Sequence, residues 1–141
     1  MSCQDWRQCY HKYMPNNKAI IVDDEEDICV FMMDLFKRRG FVGFSAMDTA
    51  EALEIFKKER PHLCVLDVHM PFSPYNGLEL LRRIKEVDKN AYCVMITRIE
   101  DNMAAAKAAR YGAADYVIKP VELKKVDEVI ALSKTREDGG V

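Results

Sequence analysis

The segment KAIIVDDEED, residues 18–27, joins a short apolar run to two adjacent aspartates and then to the start of a helix-period stretch. A brief, uninterrupted apolar run of this kind is what a strand buried on both faces of a parallel sheet looks like in sequence. The same unit recurs along the chain. The runs Ala19–Val22, Phe41–Ser45, Leu63–Asp67, Tyr92–Thr97 and Asp115–Ile118 are each followed within a few residues by a helical pattern. The first helix is expected from about Glu26 to Arg39, with Ile28, Phe31, Met32, Leu35 and Phe36 inward and Gly40 as its stop. The second begins with Thr49 as its N-cap, turns Ala50, Leu53 and Phe56 inward and ends before Pro61. The third follows Gly77 on Leu78, Leu81 and Ile84, and the fourth runs from Asn102 to about Tyr111, closed by Gly112. The fifth follows Pro120, with Leu123, Val126, Val129 and Ile130 facing the core.

Five strands alternating with five helices predict right-handed crossovers and a doubly wound, five-stranded parallel α/β sheet covered on both faces. At 141 residues the chain has the size of one domain, and its 49% hydrophobic and 31% charged residues are those of a globular protein. A net charge of -2 gives no basic footprint for a nucleic-acid backbone, so direct nucleic-acid binding is not expected. The longest apolar run, Ala91–Ile96, is far too short to span a bilayer, and the first 17 residues lack the apolar stretch of a secretory signal. A cytoplasmic location without membrane attachment is therefore expected. Three of the five cysteines lie in apolar runs, and none is expected to form a disulfide. Trp6, Cys9, Tyr10, Tyr13 and Met14 fall at helical spacing, so residues 1–17 read as an extension with helical character. Residues 18–134 read as the domain, and 135–141, with Gly139 and Gly140, as a flexible tail.

Ligands in such sheets gather beyond the carboxyl ends of the strands. Here those ends are polar: Asp23 and Asp24 after the first run, Asp67 closing the third, Thr97 closing the fourth and Lys119 after the fifth. Three carboxylates in one crevice repel one another unless a cation neutralises them. Hard oxygen ligands suit Mg²⁺, with Mn²⁺ as the alternative. An ammonium and a hydroxyl beside them are the donors that phosphoryl oxygens need, which leaves one carboxylate free to act as a nucleophile.

VDDEED (22–27), LDVHMP (66–71), MITR (95–98) and DYVIKP (115–120), in this order on these strands, resemble the receiver domain of two-component response regulators. The resemblance spans about Lys18 to Ser133. It implies a flavodoxin-like strand order 2-1-3-4-5 and a signalling receiver domain, not an enzyme, with intrinsic Mg²⁺-dependent autophosphotransfer and autodephosphorylation. Asp67 would be the phosphoacceptor, served by a histidine kinase or a histidine phosphotransfer protein. Asp24 would ligate the metal directly and Asp23 mostly through water, with Asp67 and the backbone carbonyl of His69 completing the protein ligands. Thr97 and Tyr116 match the switch pair, Lys119 matches the phosphate-pairing lysine, and the bond to Pro120 is expected to be cis. The output would be a reshaped face of helix four, strand five and helix five, read by a downstream protein, by an attached domain or by a second copy in a homodimer.

Two features depart from the family pattern. The loop Phe72–Asn76 is longer than usual, and is either a tolerated surface insertion or a lid or partner contact made by Phe72 and Tyr75. Arg98 stands where a small residue is usual. It would obstruct donors, pair with the phosphoryl group or with an acidic residue such as Glu100, or point to solvent. His69 and Ile99 occupy positions that tune the access of water to the acyl phosphate. The alternative function is a receiver-fold interaction module that works without phosphorylation. A small Mg²⁺-dependent phosphatase is disfavoured, because His69 stands where such enzymes place a catalytic aspartate.

Overall fold

The computed structural model describes residues 17–98 and 100–139. Residues 1–16 of the expected extension at 1–17, Ile99 and residues 140–141 of the expected tail therefore lie outside the described residues. The elements are β1 (Lys18–Val22), α1 (Glu26–Arg38), β2 (Val42–Ala46), α2 (Thr49–Glu59), β3 (Leu63–Asp67), α3 (Gly77–Val87), β4 (Tyr92–Thr97), α4 (Asn102–Arg110), β5 (Asp115–Ile118) and α5 (Leu123–Gly139). All strand pairs are parallel, as the alternating pattern predicts, and the sheet order is β2-β1-β3-β4-β5, as the family resemblance implies.

Strand side chains alternate between two apolar layers, because successive residues of a strand point to opposite faces. Ile20, Val22, Leu66 and Met95 pack with Phe56, Leu81 and Ile84 on one face. Ala19, Ile21, Val65, Val94 and Ile96 pack with Met32, Phe36 and Ile130 on the other. With both faces covered, only the ends of the strands are left to hold polar chemistry. Cys29, Cys64 and Cys93 are buried free thiols, as expected for those three.

Several local expectations shift. Asp48, not Thr49, caps α2: its Oδ1 accepts from the N–H groups of Ala50 and Glu51 at 2.7 and 3.1 Å. Thr49 is buried instead, and its hydroxyl donates to the Tyr75 carbonyl at 2.9 Å. On α1 the apolar stripe includes Cys29 and leaves Phe31 38% exposed, and at the start of α5 Leu123 is 49% exposed. Ala50 also faces out. The phase of each stripe was read correctly, since Met32, Leu35 and Phe36, Leu53 and Phe56, and Val126, Val129 and Ile130 are all buried; only residues at its margins were misplaced, and packing against the sheet decides those. Strand β2 is displaced by one residue because the Phe41 N–H is taken by the Phe36 carbonyl (2.8 Å), closing the end of α1. Helix α5 continues past Lys134 to Gly139, there being no helix breaker in the sequence before that glycine.

Candidate functional site

The carboxyl ends of β1, β3, β4 and β5 converge on a cleft of about 260 Å³ lined by Asp24, Glu25, Asp67, His69, Arg98 and Lys119. Asp23, Asp67 and Thr97 are buried around its floor. Oxygen atoms of Asp23, Asp24 and Asp67 all lie within 4.8 Å of one another. Residues that the sequence placed at the ends of separate strands therefore form one constellation.

Each member is fixed by the backbone that carries it. Asp23 Oδ1 accepts the Glu25 N–H at 2.8 Å, which turns the chain sharply from β1 into α1. Its Oδ2 lies 2.8 Å from Lys119 Nζ, an ion pair without well-formed hydrogen-bond geometry. Lys119 is tethered through its N–H to the Thr97 carbonyl at 2.7 Å. Its buried ammonium is 2.6 Å from Glu25 Oε2 and 3.6 Å from Asp67 Oδ2. The Lys119–Pro120 bond is cis, as expected.

Asp67 is held from behind by Gly77. The first residue of α3 lies so close to β3 that a Cβ there would fall 1.8 Å from the Asp67 carbonyl oxygen. The Gly77 N–H donates to the Val68 carbonyl at 2.9 Å, so this contact also seats the long loop. Glycine at this position is required by close backbone approach.

The electrostatics follow from burial. Desolvation first, then the neighbouring Asp23 carboxylate, push the Asp67 carboxyl up to about 7, against the opposing pull of Lys119 and the His69 N–H. Asp23 is also raised, again chiefly by desolvation, with Lys119 pulling it down. Lys119 alone therefore does not neutralise the cluster. The buried Asp23 Oδ2 with no directional donor, and three clustered hard oxygen groups, fit a divalent cation of the Mg²⁺ or Mn²⁺ class.

Thr97 is buried at the end of β4. Across the sheet, the Tyr116 ring packs against the core and its hydroxyl is buried without a well-formed hydrogen bond among the described residues. Burial and the Asp101 carboxylate raise its pKa, while Thr97 draws it down. The aromatic ring is thus turned inward beside the hydroxyl with which the sequence paired it.

The two departures from the family pattern resolve differently. Arg98 pairs with Glu25, not Glu100: its guanidinium Nη2 meets Glu25 Oε1, and its Nε lies 3.3 Å from Oε2. Tyr75 is no lid over Asp67. Its ring stacks under the Arg83 guanidinium, 4.0 Å from the centroid, and its carbonyl takes the Thr49 hydroxyl. Phe72 stands 95% exposed.

Sequence reasoning missed Glu25 as a site residue and Gly77 as the backstop of Asp67. Glu25 is adjacent to the aspartate pair, but its partners Arg98 and Lys119 are 73 and 94 residues away. Nothing local in the sequence reports those pairings.

A doubly wound parallel α/β sheet with an acidic cluster and a buried lysine beyond its strand ends has its charged groups where the ligands of such sheets bind. The response regulator receiver domain family matches residues 19–131. This chain belongs to that family. Sporulation initiation phosphotransferase F of Bacillus subtilis is 30% identical over 117 residues, covering 83% of this chain and 93% of the relative. The receiver domain of NtrX from Brucella abortus superposes with a TM-score of 0.73 at 30% identity, covering 83% of this chain and 95% of that one. A chain of the CheX–CheY–BeF3–Mg²⁺ complex from Borrelia burgdorferi superposes with a TM-score of 0.73 at 28% identity, covering 82% of this chain and 87% of that one. Among the described residues no helix is long and apolar enough to cross a membrane.

Proposed function

We propose that this receiver domain is a phosphorylation-dependent switch of a two-component phosphorelay, accepting a phosphoryl group on Asp67 from a histidine kinase or histidine phosphotransfer protein in the cytoplasm. The observation that carries the reading is the junction of Asp67 with Asp23, Asp24 and Lys119 in one open cleft. Asp24, Asp67 and the His69 carbonyl would hold Mg²⁺ or Mn²⁺, with Asp23 acting through water. When bound, the ion neutralises the cluster and the oxygens of the transferring phosphoryl group.

The chain's own residues do the rest. The Asp67 carboxylate attacks phosphorus in line; an Asp67 O–P bond forms as the donor's N–P bond breaks, and the imidazole nitrogen leaves with the electron pair. Lys119, already within 3.6 Å of Asp67, turns its charge to the phosphoryl oxygens. Thr97 supplies a hydroxyl to them, and the inward ring of Tyr116 fills the space behind it. The modified state is thereby favoured in a population shift of the α4-β5-α5 face. Met103, Ile118 and Leu123 are exposed on those three elements, which supports a downstream protein target, an attached domain or a second copy as the reader. Hydrolysis of the acyl phosphate resets the switch, with the exposed His69 at the mouth of the cleft setting the access of water.

Intact-mass analysis after incubation with acetyl phosphate tests the reading. A Mg²⁺-dependent phosphoryl adduct, absent from Asp67→Ala, is expected. A second reading, an interaction module that works without phosphorylation, draws on Glu25 holding Lys119 and Arg98 together across the cleft. No adduct with acetyl phosphate or with a panel of kinases decides for it.

A further inference from the structure

The site contains one carboxylate that neither the metal set nor the acceptor role uses. Glu25 stands at the N-terminus of α1, yet its side chain makes no capping hydrogen bond to that helix. Its N–H is fixed on Asp23 Oδ1. From there the carboxylate reaches across the cleft, with Oε2 2.6 Å from Lys119 Nζ and Oε1 against the Arg98 guanidinium. Lys119 thus lies nearer to Glu25 than to Asp67, at 2.6 against 3.6 Å.

Glu25 is an anion bridging a buried ammonium and a planar guanidinium, in the cleft that Asp67 also lines and on the same lysine that a phosphoryl group on Asp67 would need. The arginine fork donates to carboxylate and to phosphoryl oxygens in the same geometry. Charge balance separates the two occupants. Four carboxylates (Asp23, Asp24, Glu25 and Asp67) face two cations (Lys119 and Arg98), a deficit that one divalent ion closes. A phosphoryl group adds further negative charge, so Glu25 is then in excess at its own position. Its side chain is 29% exposed and that of Arg98 69%, so both can turn toward solvent without opening the core.

We propose that Glu25 is a built-in competitor for the phosphoryl group, and that Arg98 is a second cationic contact, beside Lys119, released to the phosphoryl oxygens when Glu25 swings out. This rests on Asp67 being the acceptor. Glu25 sets how readily the site takes a phosphoryl group, and Arg98 adds a contact that a small residue at its position cannot make.

Beryllofluoride, which stands in for the phosphoryl group, gives a readout independent of turnover. Its binding is followed by fluorine NMR at saturating Mg²⁺, with the Mg²⁺ affinity of each variant measured separately. Glu25→Gln is expected to bind beryllofluoride about 3- to 10-fold more tightly than the wild type, the modest size reflecting the exposed partner. Arg98→Ala placed in the Glu25→Gln background is expected to reverse that gain by a similar factor. In the wild-type background it costs less, because Arg98 is there also spent on Glu25. Glu25→Gln binding no more tightly than the wild type overturns the competitor role. Full retention of the gain in the double variant overturns the Arg98 contact. A wild type that binds no more beryllofluoride than Asp67→Asn overturns the acceptor reading itself, and this proposal with it.

Discussion

Replacing Asp67 by asparagine is expected to stabilise the metal-free protein at alkaline pH. The Asp67 carboxyl is pushed from 3.8 to about 7 by burial and by Asp23. A group whose folded pKa lies above its unfolded value binds its proton more tightly in the folded chain. The wild type therefore loses stability as pH rises from the unfolded pKa through the folded one, and the loss is complete above it. At about 1.36 kcal/mol for each tenfold change in proton affinity, the rise from 3.8 to about 7 sets a ceiling near 4 kcal/mol. Asparagine removes the charge while keeping the shape, and Lys119 retains Asp23 and Glu25, so no buried cation is orphaned. Urea unfolding with a chelator present should give Asp67→Asn a gain of about 2–4 kcal/mol near pH 8.5 that shrinks toward zero near pH 4. Adding Mg²⁺ to about a hundred times its dissociation constant should return roughly 2.7 kcal/mol to the wild type and narrow the gap. An equal gain at both pH values, or none at pH 8.5, would refute the electrostatic reasoning.

Other expectations concern single contacts. Gly77→Ala should destabilise the fold by at least about 2 kcal/mol and lower phosphoryl uptake, since the new methyl group meets the Asp67 backbone; thermal melts and the acetyl phosphate assay check both. Asp48→Ala should cost about 1 kcal/mol in urea unfolding through loss of the α2 cap, leaving phosphoryl uptake unaltered. Calorimetric titration of Asp24→Asn should show Mg²⁺ binding weakened at least about tenfold, because one hard anionic ligand is lost. Phe72→Ser should leave stability within about 0.5 kcal/mol of the wild type, the ring being exposed; a larger loss would mean that the loop is packed.

Strand identity, order of elements and the residues at the strand ends were legible in the sequence, because apolar runs, glycine stops and buried-strand composition are local signals. Asp23, Asp24, Asp67, Thr97 and Lys119 stood out for the same reason: polar residues closing apolar runs. The margins of the helical faces were less legible. Phe31, Ala50 and Leu123 read as core and are exposed, while Cys29 is buried, since the choice among neighbouring residues is made by the sheet surface they meet. The register of β2 likewise depended on the Phe41 N–H closing α1.

What the sequence by itself determined is the acidic and basic complement of the site, brought together because every parallel strand of a doubly wound sheet ends on the same side. What only the tertiary structure decided is which charges touch. Glu25 bridges Lys119 and Arg98, Tyr75 anchors the long loop on α2 instead of covering Asp67, and Gly77 abuts the Asp67 backbone. Side-chain reach across a cleft is set by loop paths and by competition among neighbouring charges, and neither leaves a periodic trace along the chain.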